Sequence, residues 1–99
     1  MIHILTLFPK STDPKALDDY ISSQMIPRLK QAHGLRSLTL SVGDLMSPVG
    51  PPPYSRVFET SFDSMDDWWA YVQTPAAQAE KDFLKSIGTV MLFYEVSEP

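Results

Sequence analysis

The chain has 99 residues, 43% of them hydrophobic, enough for one compact domain over residues 1–99 with a modest core of its own. It contains no cysteine, which excludes disulfides, thiolate metal sites and a cysteine nucleophile, and makes a reducing, cytoplasmic setting the natural expectation. Eight basic against twelve acidic side chains give a net charge of −4 with the basic residues scattered, so neither nucleic acid nor an anionic membrane is an expected partner.

The first element is "IHILTLF", residues 2–8, nearly all apolar and ended by Pro9. It is too short for a membrane span and lacks the flanks of a signal peptide, and it reads as a strand buried on both faces. Asp13 followed by Pro14 is an N-cap with proline at the first helical position, and Leu17, Tyr20, Ile21 and Met25 then recur at helical spacing. This helix is expected to run to about His33 and to stop at Gly34. Within it, Pro27 lacks an N–H and crowds the carbonyl four residues back, which predicts a kink with Gln24 and Met25 at the bend.

"LRSLTLSV", residues 35–42, alternates Leu38, Leu40 and Val42 with Ser37, Thr39 and Ser41 and reads as a second strand. The stretch 43–53, "GDLMSPVGPPP", is a long loop stiffened by proline, expected to make a wide connection across the sheet and to lie over a pocket mouth. "YSRVFETSF" from Tyr54 to Phe62 is a third strand. Ser64 caps a helix with Asp66 and Asp67 in its first turn, and Thr74 with Pro75 starts a second helical piece that should carry Ala79, Phe83 and Leu84 inward and end before Gly88. "TVMLFYEV", residues 89–96, is a fourth, almost wholly apolar strand.

The order βαββαβ is that of a ferredoxin-like plait in the α+β class, a four-stranded antiparallel sheet with its helices on one face. Ile2 and Ile4 oppose Leu5 and Leu7 on the first strand, while Val90, Leu92 and Val96 oppose Met91 and Phe93 on the last, so both faces of the sheet are apolar. A second copy of the chain, packed sheet to sheet as a homodimer, is the economical cover for the open face.

Phosphate-binding glycine loops, nucleophile elbows and zinc motifs are all missing, so no cofactor and no metal are expected. His3 reads as a strand residue, His33 as a helix C-terminal cation, and the pairs Asp18/Asp19 and Asp66/Asp67 as solvated charges near helix N-termini. Tyr20, Tyr54, Phe58, Phe62, Trp68 and Trp69 could wall one space between the first helix, the third strand and the second helix. Consecutive tryptophans cannot face the same way on a helix, so one of Trp68 and Trp69 should line a cavity or an interface.

The runs "ALDDYISSQMIPRLKQAHGLRS" and "PPPYSRVFETSFDSMDDWWAYVQTPAAQAEKDF", followed by a closing apolar strand, resemble the EthD-like family of the dimeric α/β-barrel superfamily over nearly the whole chain. The resemblance rests on Pro27, on "GL" at Gly34 and Leu35, on "PPPY" ending at Tyr54, on "FDS" at Phe62 to Ser64 and on "TPAAQ" at Thr74 to Gln78. It implies a ferredoxin-like subunit whose sheet packs against a partner's to form a dimeric α/β barrel. Relatives are tied to bacterial degradation of an ether fuel additive and, in fungi, to polyketide tailoring.

The resemblance also implies a tyrosine and a histidine ahead of the helix proline. Tyr20 matches the tyrosine, whereas the histidine position holds Met25, with Gln24 beside it. Two functions follow as expectations. One is a cofactor-independent catabolic or tailoring enzyme acting on a small apolar, aromatic or polyketide-like molecule, held by Tyr20, Gln24, Met25, Tyr54, Arg56, Phe58 and Trp68 or Trp69. The other is a non-catalytic homodimeric ligand-binding or accessory module, favoured by Met25, a soft apolar filler with no proton chemistry near neutral pH. A purely structural reading, with side chains filling the space, stands beside both. No catalytic residue is assigned.

Overall fold

The computed structural model describes residues 1–97. Strand β1 (Ile2–Pro9) leads into α1 (Pro14–Tyr20), which continues through a π-helical turn (Ile21–Met25) into α2 (Ile26–Lys30). Then come β2 (Leu35–Leu40), β3 (Tyr54–Phe62), α3 (Met65–Val72), α4 (Pro75–Ser86) and β4 (Val90–Glu95). The strands form one antiparallel sheet in the order β2-β3-β1-β4, the α+β ferredoxin-like arrangement expected. Among the described residues no helix is long and apolar enough to cross a membrane.

The kink expected at Pro27 takes the form of a π turn in which the Ile26 N–H reaches the Ile21 carbonyl, five residues back. Proline cannot donate to the Ser23 carbonyl and its ring crowds it, and one extra residue in the turn relieves the clash. The wider turn also serves the core. Residues four apart overshoot a full turn of a 3.6-residue helix by about 40°. A turn holding more residues offsets that drift, and Leu17, Ile21, Met25 and Leu29 are all buried.

Against this stripe β1 presents Ile2, Ile4 and Phe8, and β3 presents Phe58 and Phe62, with Trp68 and Leu84 closing the core. Strand alternation sends the other residues to the open face, where Leu5 pairs with Leu92 and Leu7 with Val90 and Val57. Gly34 has φ +82, and the Asp67 side chain occupies the space that a Cβ there would need. The helix ends at Lys30, short of the expected His33, and after a turn Gly34 leads the chain into β2 and admits Asp67 of α3 close to it.

Two strands stop short of their expected ends for local reasons. β2 ends at Leu40, yet Ser41 keeps its place beside β3 by donating its N–H to the Val57 carbonyl at 2.9 Å and accepting from the Val57 N–H through its hydroxyl at 3.0 Å. Thr89 leaves β4 because its N–H goes to the Leu84 carbonyl at the end of α4. The connection after β2 has no regular structure over residues 43–53, as expected. It is tied to β3 by the Leu45 N–H on the Ser55 carbonyl at 3.0 Å and by the Arg56 guanidinium on Asp44 at 2.6 Å.

Three sequence expectations are corrected. Ala79 is exposed, and the inward residues of α4 are Ala77, Glu80 and Leu84, which share one helical stripe. Phe83 is more than one-third exposed and stacks on Tyr20 from the side. Asp18 is not merely a solvated helix charge, since it takes Arg56 Nε at 3.1 Å and Nη2 at 3.3 Å.

Candidate functional site

Helix α3 begins at Ser64, whose hydroxyl accepts from the Asp67 N–H at 3.1 Å, and α4 begins at Thr74, whose hydroxyl accepts from the Ala77 N–H at 3.2 Å. Gln73 and Thr74 join the two helices, which meet β4 at the residues that line the space between them. The gap they leave is a cavity of about 400 Å³ with Trp68, Trp69 and Val72 on one side, Ala77, Glu80 and Leu84 on the other, and Thr89 and Met91 beneath. Register places Met91 and Phe93 on the helix-covered face of β4, opposite Thr6 and Ile4. The Phe93 ring lies 4.7 Å from that of Trp68 and 6.1 Å, edge-on, from that of Trp69. Trp68 is buried and Trp69 is 43% exposed, the division expected of adjacent tryptophans on a helix.

Glu80 is the buried charge of this cavity, which the exposed Lys81 and Lys85 also line. It is 7% exposed, and its Oε2 accepts from Arg28 Nη1 at 3.4 Å, a long bond from across the helical layer. Arg28 in turn donates to Gln24 Oε1 at 3.1 Å. Burial raises the Glu80 carboxyl above the usual carboxylate range, and the Arg28 charge only partly draws it back. Burial, with the nearby Glu80 charge, pushes the Tyr71 hydroxyl up to about 12, and raises Tyr20 for the same two reasons. Tyr71 Oη and Thr89 Oγ1 are buried in the cavity wall without a hydrogen-bond partner among the described residues. Leaving a hydroxyl in that state costs about 1–3 kcal/mol.

The eight residues read from the sequence as one pocket occupy several places. Trp68 and Trp69 line the cavity between α3 and α4. Tyr20 packs on Phe83 at 4.4 Å between ring centres, and Gln24, exposed, holds Arg28. Met25 at 2% and Phe58 at 2% exposure are core. Arg56 is consumed by Asp18 and Asp44, whose hydrogen bonds raise its pKa further. Tyr54 lines a separate hollow of about 530 Å³ under the proline-rich loop, with Lys10, Pro14 and Pro51. That hollow is larger, but its walls include exposed loop residues such as Met46, 93% exposed, and none of the ionisable groups lining it is buried. No three His, Asp or Glu side chains among the described residues cluster where they could hold a metal ion.

Arg28, Tyr71, Glu80 and Thr89 were not singled out by the sequence. A signal existed for Glu80, a carboxylate three residues after Ala77 and four before Leu84 in an otherwise apolar stripe.

Neither a family model nor a curated protein sequence matches the chain. Solved structures do. An ethyl tert-butyl ether D (EthD) family protein from Bacillus halodurans superposes with a TM-score of 0.79 at 21% identity, over 98% of this chain and 99% of that one. The chain has an EthD-like, ferredoxin-like fold. A dimeric ferredoxin-like protein of unknown function from Thermobifida fusca shares the EthD-like fold with a TM-score of 0.71 at 15% identity, over 96% and 90% of the two chains. SnoaB, a cofactor-independent oxygenase from Streptomyces nogalater, does so with a TM-score of 0.70 at 10% identity, over 99% and 93%.

Proposed function

We propose that this chain, as one domain over residues 1–99, binds a small apolar, aromatic or polyketide-like molecule in the cavity between α3, α4 and β4. The observation that carries the reading is a hollow of drug-like size walled by Trp68 and Trp69 with a single buried carboxyl, Glu80, in its apolar lining. The working unit is a homodimer joined through the open face of the sheet, where Leu5, Leu7, Val57, Val90 and Leu92 form an apolar patch that no other element among the described residues covers. The dimeric protein of the same fold supports this arrangement. A cytoplasmic setting accords with the lack of cysteine.

Titration with 2-methylnaphthalene tests the binding reading. The indole N–H resonances of Trp68 and Trp69 should shift saturably, and Trp69→Ala, which removes a wall without opening the core, should weaken binding roughly threefold to tenfold. Unmoved indole signals at probe saturation would refute it.

Two observations divide catalysis from plain binding. Met25, buried at the position where the resemblance places a histidine, favours a non-catalytic module. Glu80 favours cofactor-independent turnover, since a buried carboxyl that lines the cavity, its pKa raised by that burial, can take and return a proton. Turnover that is lost in Glu80→Gln while ligand binding persists would identify the enzyme.

A further inference from the structure

We infer that Glu80 gives the cavity its chemical selectivity, so that the site takes aromatic molecules bearing a hydroxyl group, which donates its hydrogen bond to Glu80 Oε1. The inference rests on the binding proposed above and adds the chemical class of the ligand.

The two carboxylate oxygens of Glu80 have different surroundings. Oε2 faces Arg28 Nη1 at 3.4 Å. Oε1 has no hydrogen-bond partner among the described residues and is not one of their sealed unpartnered atoms, Tyr71 Oη and Thr89 Oγ1, so it is accessible on a side chain that lines the cavity. An ionised carboxylate only accepts hydrogen bonds. The other polar groups of the cavity are the unpartnered Tyr71 Oη and Thr89 Oγ1, the indole N–H groups of Trp68 and Trp69, and the exposed Lys81 and Lys85; none of them donates to Oε1, which leaves that oxygen for a ligand. A ligand hydroxyl that reaches Oε1 gains a charge-assisted bond in a water-poor wall, whereas a purely hydrocarbon ligand leaves the carboxylate both desolvated and unpaired. The tryptophan faces meanwhile select for a flat ring. The side chain is fixed for this role by Arg28, itself held through Gln24 from the π turn, which gives the polar residues around Pro27 a place in the site without touching the ligand.

The test compares 2-naphthol with 2-methylnaphthalene, which replaces the hydroxyl by a methyl group of similar size, at pH 8 by the tryptophan indole resonances. In Glu80→Leu the ratio of the two affinities should move tenfold or more against 2-naphthol relative to the wild type, with 2-methylnaphthalene binding as well as before or better. Glu80→Gln, which keeps an acceptor oxygen but not the charge, should fall between them. An unchanged ratio in Glu80→Leu overturns the inference while leaving the binding proposal standing. Failure of both probes to bind the wild-type protein overturns the binding proposal itself, and the inference with it. Retained 2-methylnaphthalene binding in Glu80→Leu shows that the variant is folded.

Discussion

Leu92→Asp is the sharpest test of the dimer, because the side chain stands on the open face and contributes little to the subunit's own core. Leu92 is 51% exposed, opposite the half-buried Leu5 on the neighbouring strand. Burying a leucine fully is worth about 1.5–3 kcal/mol, so covering its exposed half gives roughly 1 kcal/mol per subunit and about 2 kcal/mol in a twofold dimer. The substitution removes that gain and places two unpaired carboxylates in an apolar interface, at several kcal/mol more. A dimer with a micromolar dissociation constant is held by about 8 kcal/mol, so the combined loss should weaken it at least a thousandfold. Light scattering at about 50 µM, a choice guided by that same scale, should find dimer for the wild type and monomer for Leu92→Asp. Circular dichroism should be retained by both. A wild-type monomer at that concentration refutes the proposed assembly, and a Leu92→Asp protein that stays dimeric refutes its placement on the sheet face.

Arg56→Met keeps an apolar stem in β3 but removes the bonds to Asp18 and Asp44. Since the Asp18 and Asp44 side chains are 43% and 80% exposed, screening limits the loss to about 1–2 kcal/mol in urea unfolding, accompanied by faster amide exchange at Leu45. Unchanged exchange there would show that the loop is held without the arginine. Glu80 binds its proton more tightly folded than unfolded, so it lowers stability progressively as pH rises from its ordinary value of 4.5 through its raised folded value. Burial and Arg28 on α2 act on Glu80, which in turn raises Tyr20 on α1 and Tyr71 on α3; Lys81 on α4 lines the same cavity. Glu80→Gln should match the wild type in urea midpoint well below pH 4.5 and gain on it as pH rises through the weakly acidic range. A gain in the opposite direction would mean that the pairing with Arg28 outweighs burial.

The sequence by itself determined the fold, because its signals are local and periodic. Proline and glycine punctuation, the caps Asp13, Ser64 and Thr74, and the strand alternation of β1 and β4 fix the order of elements, and handedness then leaves few topologies. It also located the disturbance at Pro27, though not that one extra residue per turn would absorb it and bring Met25 into the core. Which side chains share a space was decided only in three dimensions. Tyr54 and Trp69 belong to different hollows because Tyr54 pairs with Pro9 at the end of β1 while Trp69 packs on Phe93, which pairs with Ile4 nearer its start, a relation that spacing along the chain does not encode. Glu80 carries the same lesson from the other direction. A glutamate on an amphipathic helix is ordinarily solvated, and only the packing of α4 against Arg28 and α3 turns this one into a buried carboxyl lining an aromatic cavity.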